Sequence, residues 1–146
     1  MGTLYSLKKD WANAEAMYKK ALEIKPNYPE GVIMLSGVYA NTGRMAEASE
    51  LVDKALVENP TDAKLLLQQG VILFNTGKQA EAGEAFEKIK TADPANPEPY
   101  YYLATIAVGQ GKTADAVANL EKYLSLNPQN SQNVATAKGL LTALKK

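Results

Sequence analysis

Residues 35–60 read LSGVYANTGRMAEASELVDKALVENP, and the landmarks of this stretch recur along the whole chain. A glycine followed by a basic residue returns every 34 residues, at Gly43-Arg44, Gly77-Lys78 and Gly111-Lys112. Prolines keep the same interval, at Pro26, Pro60, Pro94 and Pro128. Two independent landmarks on one period indicate an array of structural repeats.

Each period contains two segments in which apolar residues follow helical spacing. In the first segments the i, i+3, i+4, i+7 pattern predicts these inner faces: Val32, Leu35, Ser36, Tyr39; Leu66, Gln69, Gly70, Leu73; Tyr100, Leu103, Ala104, Ala107. The second segments carry alanine at the matching positions Ala48, Ala82 and Ala116. We expect the small residues of paired helices to face each other, because small side chains let helix axes approach closely.

The ends of these helices are also marked in the sequence. The repeated glycine suits a residue that closes a helix in the left-handed conformation. Equivalent polar residues precede the first helices and are predicted to cap them, at Asp62, Asn96 and Asn130.

The pattern resembles that of the tetratricopeptide repeat family over essentially the whole chain. The residues that carry the resemblance are Val32, Leu35, Ser36, Tyr39, Gly43, Ala48, Val52, Ala55 and Pro60. The resemblance implies an all-α fold: an α-solenoid of stacked antiparallel helix pairs, wound into a superhelix whose concave side is lined mainly by first helices. Gln69 in place of leucine, and Leu73 and Ala107 in place of tyrosine, are departures from the family pattern.

The repeat register predicts the organisation of the chain. Three whole repeats are expected at residues 29–62, 63–96 and 97–130. Residues 1–28 are expected to form a partial repeat, a truncated first helix plus a second helix, as in a fragment excised from a longer protein. Residues 131–146 continue the first-helix pattern with Lys138 in the small buried slot, which predicts a C-terminal capping helix with a polar outer face.

Composition excludes most enzyme chemistry. The chain has no cysteine and no histidine, which removes thiolate nucleophiles, imidazole bases and zinc-finger ligands. Residues 109–113, GQGKT, look like the end of a phosphate-binding loop, but Ile106 stands where the further glycine is required. We therefore interpret this segment as a turn and expect no catalytic residue, cofactor or metal.

Charge and hydropathy exclude two classes of partner. The 16 basic and 16 acidic residues are mixed along the chain, with no basic stripe for nucleic acid. No apolar run approaches the roughly 20 residues of a membrane-spanning helix, so we expect no membrane insertion by this segment. The compartment is not readable from the sequence.

A second apolar stripe runs beside the inner face of each first helix and predicts a peptide-binding groove. The expected groove residues are Ile33, Ala40, Asn41, Lys64, Leu67, Val71, Phe74, Asn75, Tyr101, Thr105 and Val108. Phe74 and Tyr101 are the expected anchors. The amides of Asn41 and Asn75 suit either a peptide backbone or a local helix cap.

These observations favour a non-catalytic protein- or peptide-binding scaffold or adaptor segment of a larger protein. The alternative is a structural spacer that positions an attached catalytic or membrane-anchored domain. Self-association through the apolar N-terminal edge around Leu4 and Tyr5 is a further expectation. Some family members hold acidic chaperone tails in a polar clamp, but this groove offers Lys64 with Ile33, Leu67 and Tyr101 at the neighbouring positions.

Overall fold

The computed structural model describes residues 2–26 and 28–146, and their regular secondary structure is entirely α-helical. The described chain divides into two compact units between Lys78 and Gln79. The first unit contains α1 (Gly2–Leu7), α2 (Trp11–Ile24), α3 (Pro29–Asn41), α4 (Met45–Glu58) and α5 (Ala63–Asn75). The second unit contains α6 (Gln79–Ala92), α7 (Glu98–Gly109), α8 (Thr113–Ser125) and α9 (Ser131–Leu144).

Short turns join the helices of each predicted pair and use the repeated glycine. Gly43, Gly77 and Gly111 have φ angles of +78°, +80° and +69°, in the left-handed region that glycine adopts without a Cβ clash. The GQGKT segment is thus the turn between α7 and α8, as the sequence predicts.

The predicted caps at Asp62 and Asn130 are present. Asp62 accepts hydrogen bonds from the backbone N–H groups of Lys64 and Leu65, and Asn130 accepts from those of Gln132 and Asn133. For α7 the N-cap residue is Pro97 and not the predicted Asn96, but the Asn96 side chain still accepts from the N–H of Glu98 at 3.1 Å. These bonds satisfy donors that the first turn of a helix leaves without a partner.

In the first unit, consecutive helices from α1 to α5 pack against each other, and α3 also contacts α5. The predicted inner face of α3 is buried, including Ser36, whose hydroxyl donates to the Ile33 carbonyl oxygen at 2.9 Å. Ala48 of α4 is also fully buried. Trp11 of α2 is half-buried against the same core.

The inner face predicted for α5 is only partly correct. Leu65 and Ile72 are buried in the core, whereas Leu66 and Leu73 are half-buried. Gln69 is also half-buried, and its amide donates to the Asp53 carboxylate of α4 at 2.8 Å. The sequence AKLLLQQGVILFN is apolar around much of the helix, so spacing alone does not select one face.

A guanidinium group ties α2 to α4 in the first unit. Arg44 bonds the carboxylates of Glu15 at 2.7 Å and Glu47 at 2.6 Å. The same group lies 4.2 Å from the centre of the Tyr39 ring of α3, which is a cation–π distance. The hydrogen bonds of Lys19 and Arg44 hold the pKa of the Glu15 carboxyl below its usual value.

In the second unit, α7 packs against α6 and α8, and α9 packs against α8. The predicted inner face of α7 is buried as expected, and Ala104 and Ala116 are both fully buried. Val134, Leu141 and Leu144 of α9 pack on this core, while Lys138 is exposed. This arrangement suits a helix with one apolar and one polar face.

We predict that Ala116→Leu lowers the free energy of unfolding by about 1–3 kcal/mol, because the added side chain overpacks a fully buried position on α8. Urea unfolding followed by circular dichroism measures the change. Ala118→Leu is the matched control on the exposed side of α8 and is expected to change stability by less than about 0.5 kcal/mol. Equal stability of the two variants would contradict the assignment of this position to the helix contact.

Candidate peptide-binding surface

The expected groove residues divide between the two compact units. Those from residue 33 to residue 75 lie on α3 and α5 of the first unit, and Tyr101, Thr105 and Val108 lie on α7 of the second. Each group is a surface of its own unit.

The first-unit stripe consists of five apolar residues on two helices that contact each other. All five are half-buried: Ile33 and Ala40 on α3, and Leu67, Val71 and Phe74 on α5. Half-burial means that each residue packs on its own unit and still presents part of its apolar surface. Each residue of the stripe directly follows a residue of the predicted inner face, and this offset predicts its intermediate exposure.

Polar bonds between α3 and α5 flank the first-unit stripe. Lys64 donates to the Glu30 carboxylate at 2.8 Å, and Gln68 donates to the Ser36 hydroxyl at 3.0 Å. The bond with Glu30 raises the pKa of Lys64, and the bond with Lys64 lowers the pKa of Glu30. The cation expected to face a ligand is therefore already paired within the protein.

The two expected amides are both exposed, near the ends of their helices. The Asn41 side-chain N–H donates to the Gly37 carbonyl oxygen of its own helix at 2.7 Å. This is a local contact near the helix terminus, as in the capping alternative. Asn75 occupies the equivalent end of α5.

The second-unit stripe carries a threonine hydroxyl that is engaged within its own helix. Tyr101, Thr105 and Val108 are half-buried, and the Thr105 hydroxyl donates to the Tyr101 carbonyl oxygen at 2.9 Å. Tyr100 lies in the core, as predicted, and its hydroxyl donates to the Pro94 carbonyl oxygen at 3.2 Å.

Tyr101 belongs to a group of aromatic rings that sequence reasoning did not bring together. We name Phe86, Tyr101, Tyr102 and Tyr123 the aromatic cluster. Phe86 stacks on Tyr102 with ring centroids 4.7 Å apart, and Tyr101 lies 5.5 Å from Tyr102 and 5.3 Å from Tyr123. The 34-residue register places Phe86 and Tyr123 at neighbouring core positions, but their contact with Tyr101 depends on how α6, α7 and α8 pack.

The described residues include neither a candidate metal cluster nor a membrane-spanning helix. In this part of the chain, no cluster of three or more acidic side chains is arranged to hold a metal ion. None of its helices combines the length and the apolar character needed to cross a bilayer.

Helix pairs with this register are matched by two profiles described as tetratricopeptide repeat. One covers residues 7–70 and the other covers residues 63–96 and 97–130. The chain belongs to the tetratricopeptide repeat family. A comparison of the sequence with curated proteins found no match.

Solved structures of other tetratricopeptide-type proteins resemble this one. MamA is 25% identical, with a TM-score of 0.74 over 99% of this chain and 88% of that chain. PilF from Pseudomonas aeruginosa is 24% identical, with a TM-score of 0.84 over 99% of this chain and 66% of that chain. The secretion chaperone SycD from Yersinia enterocolitica, solved with a peptide of the translocator YopD, is 18% identical, with a TM-score of 0.71 over 80% of this chain and 91% of that chain.

We predict that a peptide ending in EEVD does not bind tightly to this tetratricopeptide repeat chain. The Lys64 ammonium is neutralised by Glu30, and the adjacent expected groove residues are apolar or aromatic. Isothermal titration calorimetry at low salt provides the measurement. A salt-sensitive dissociation constant in the low micromolar range would contradict the prediction.

A second prediction concerns the hydroxyl of Tyr123, which is buried and has no hydrogen-bond partner among the described residues. Tyr123→Phe removes this group with little change in volume, so we expect the free energy of unfolding to rise by about 1 kcal/mol. Tyr100→Phe is the control, because it loses the bond to Pro94 and is expected to destabilise by about 1 kcal/mol. Urea unfolding of both variants tests the contrast, and equal destabilisation would refute it.

The same variant has a defined pH dependence. Burial, aided by the nearby Glu98 carboxylate, raises the pKa of Tyr123 to about 12, whereas an unfolded tyrosine ionises near about 10. The unfolded state therefore loses its proton first, and this residue's contribution to stability declines as pH rises through that window. The advantage of Tyr123→Phe over the parent should grow between about pH 10 and pH 12.

Proposed function

We propose that this chain is a non-catalytic scaffold or adaptor segment that binds an apolar segment of a partner protein. The observation that carries the proposal is the first-unit stripe, in which five apolar side chains on two contacting helices remain half-exposed. Contiguous apolar surface on a folded unit tends to mark an interaction site. Membership of the tetratricopeptide repeat family supports the same class of function.

The chemistry of the stripe favours an apolar ligand over a charged one. The charged side chains Lys64 and Glu30 beside the stripe neutralise each other. An amphipathic helix or an extended peptide presents apolar side chains at intervals that a groove between two helices accommodates. The structural likeness to SycD, which was solved with a translocator peptide, supports peptide recognition as the mode.

The proposed groove comprises Ile33, Ala40, Asn41, Lys64, Leu67, Val71, Phe74 and Asn75 in the first unit. Tyr101, Thr105 and Val108 are proposed as a binding surface of the second unit by itself. We retain the repeat boundaries 29–62, 63–96 and 97–130, with residues 1–28 as a partial repeat and 131–146 as a cap, as part of this proposal. The lack of cysteine and histidine supports a binding role without catalysis.

The test begins with a random peptide library displayed on phage and selected against the full chain. For each recovered peptide we expect Leu67→Ala or Phe74→Ala to raise the dissociation constant by about 30-fold, equivalent to about 2 kcal/mol. Fluorescence anisotropy measures the affinities. Circular dichroism establishes that each variant is folded.

Glu50→Ala and Glu84→Ala are the controls, because both residues are exposed on second helices. They are expected to bind like the parent. If these two variants lose binding while the groove variants retain it, the partner uses the opposite faces of the helices and the proposed site is wrong. If selection enriches no peptide, the spacer role is favoured over the scaffold.

A further inference from the structure

Glu98 lies beside the aromatic cluster on α7. It is the first residue of this helix, and Tyr101 and Tyr102 follow it by three and four residues. Residues at these spacings lie on the same side of a helix. Glu98 is therefore on the same side of α7 as Tyr101 and Tyr102, and like these two residues it is half-buried.

The Glu98 carboxylate has no cation of its own. Among the described residues, no ion pair or side-chain hydrogen bond involves this carboxylate. The only bond of Glu98 outside the helix ladder is from its backbone N–H to Asn96, in the part of the chain that the structure describes. A half-buried carboxylate without a partner is costly, because burial removes water without supplying another donor.

Glu30 is at the equivalent position of α3, and its carboxylate has the basic partner that the Glu98 carboxylate lacks among the described residues. Glu30 stands two repeat periods of 34 residues before Glu98 and is likewise in the first turn of its helix. Its carboxylate receives a hydrogen bond from Lys64 at 2.8 Å. A favourable helix dipole acts on both carboxylates, so the dipole does not explain why one is paired and the other is not.

The pKa values of Glu98 and Glu30 shift in opposite directions, which agrees with this difference in pairing. Burial raises the pKa of the Glu98 carboxyl above its usual value, whereas the Lys64 bond lowers that of Glu30. Burial, and then the charge of Glu98, raise the pKa of both Tyr102 and Tyr123. The hydroxyl of Tyr123 is itself buried without a described partner, so two polar groups near one another lack hydrogen-bond partners.

We propose that Glu98 and the ring of Tyr101 form a binding site for an arginine side chain of a partner protein. A guanidinium group pairs with a carboxylate through charge-assisted hydrogen bonds and stacks on aromatic rings, so one ligand satisfies both features. Tyr102 and Tyr123 hold Tyr101 in place through their ring contacts. The proposal deepens the proposed function by giving one chemical requirement of its partner: a basic residue at the end of the segment that meets α7.

The test uses N-acetyl-arginine amide as the probe and N-acetyl-citrulline amide as its neutral isostere. NMR of the full chain with ¹³C-labelled tyrosine rings follows the titration. We expect saturable shifts of the Tyr101 ring with the arginine probe and not with the citrulline probe. Equal shifts with both probes, or none with arginine, would overturn the proposal.

Glu98→Gln removes the charge and preserves the shape of the side chain. We expect it to raise the dissociation constant of the arginine probe at least about tenfold, without lowering the melting temperature, because the lost carboxylate has no partner in the free protein. Glu84→Gln, an exposed change of equal charge on α6, is expected to bind the probe like the parent. Equal loss in both variants would reduce the effect to net charge and refute a specific site.

This test does not depend on the phage selection. Arginine binding at Glu98 without enriched peptides would support this site and count against the first-unit stripe. Enriched peptides whose binding depends on Leu67, combined with no arginine binding, would support the scaffold and reject the Glu98 site.

Discussion

The close approach of paired helices is the constraint on which the rest of the structure depends. Ser36 and Ala48 in the first unit, and Ala104 and Ala116 in the second, are completely buried where paired helices pack. Small side chains at a helix crossing allow the axes to come near each other, and a glycine turn in the left-handed conformation reverses the chain over a short distance. This contact buries one face of each first helix and leaves the adjacent face for other interactions.

Charged groups have different roles in the two units. In the first unit, Arg44 joins two carboxylates and the Tyr39 ring, and Lys64 beside the apolar stripe pairs with Glu30. Exposed pairs of this kind contribute little to stability. The pairing of Lys64 with Glu30 does affect recognition, because the cation beside the stripe is already engaged within the protein. In the second unit, Glu98 is left without such a partner among the described residues.

The shared fold does not settle the ligand. MamA, PilF and SycD have TM-scores between 0.71 and 0.84 to this chain at identities of 18–25%. At identities this low, the likeness shows a shared fold and carries no information about the side chains of a binding surface. The proposed recognition therefore rests on the residues of this chain. These are the half-buried apolar groups of α3 and α5 and the carboxylate and rings of α7.

The 34-residue register by itself determined the helix pairs, the three glycine turns, the caps at Asp62 and Asn130, and the buried faces of α3 and α7, because these features follow from local spacing and backbone preference. It did not determine the buried face of α5, since a helix with leucine at residues 65, 66 and 67 offers apolar surface in several directions. It also did not reveal the pairing of Lys64 with Glu30 or the isolation of Glu98. Those outcomes depend on which side chains packing brings within bonding distance, and only the tertiary structure decided them.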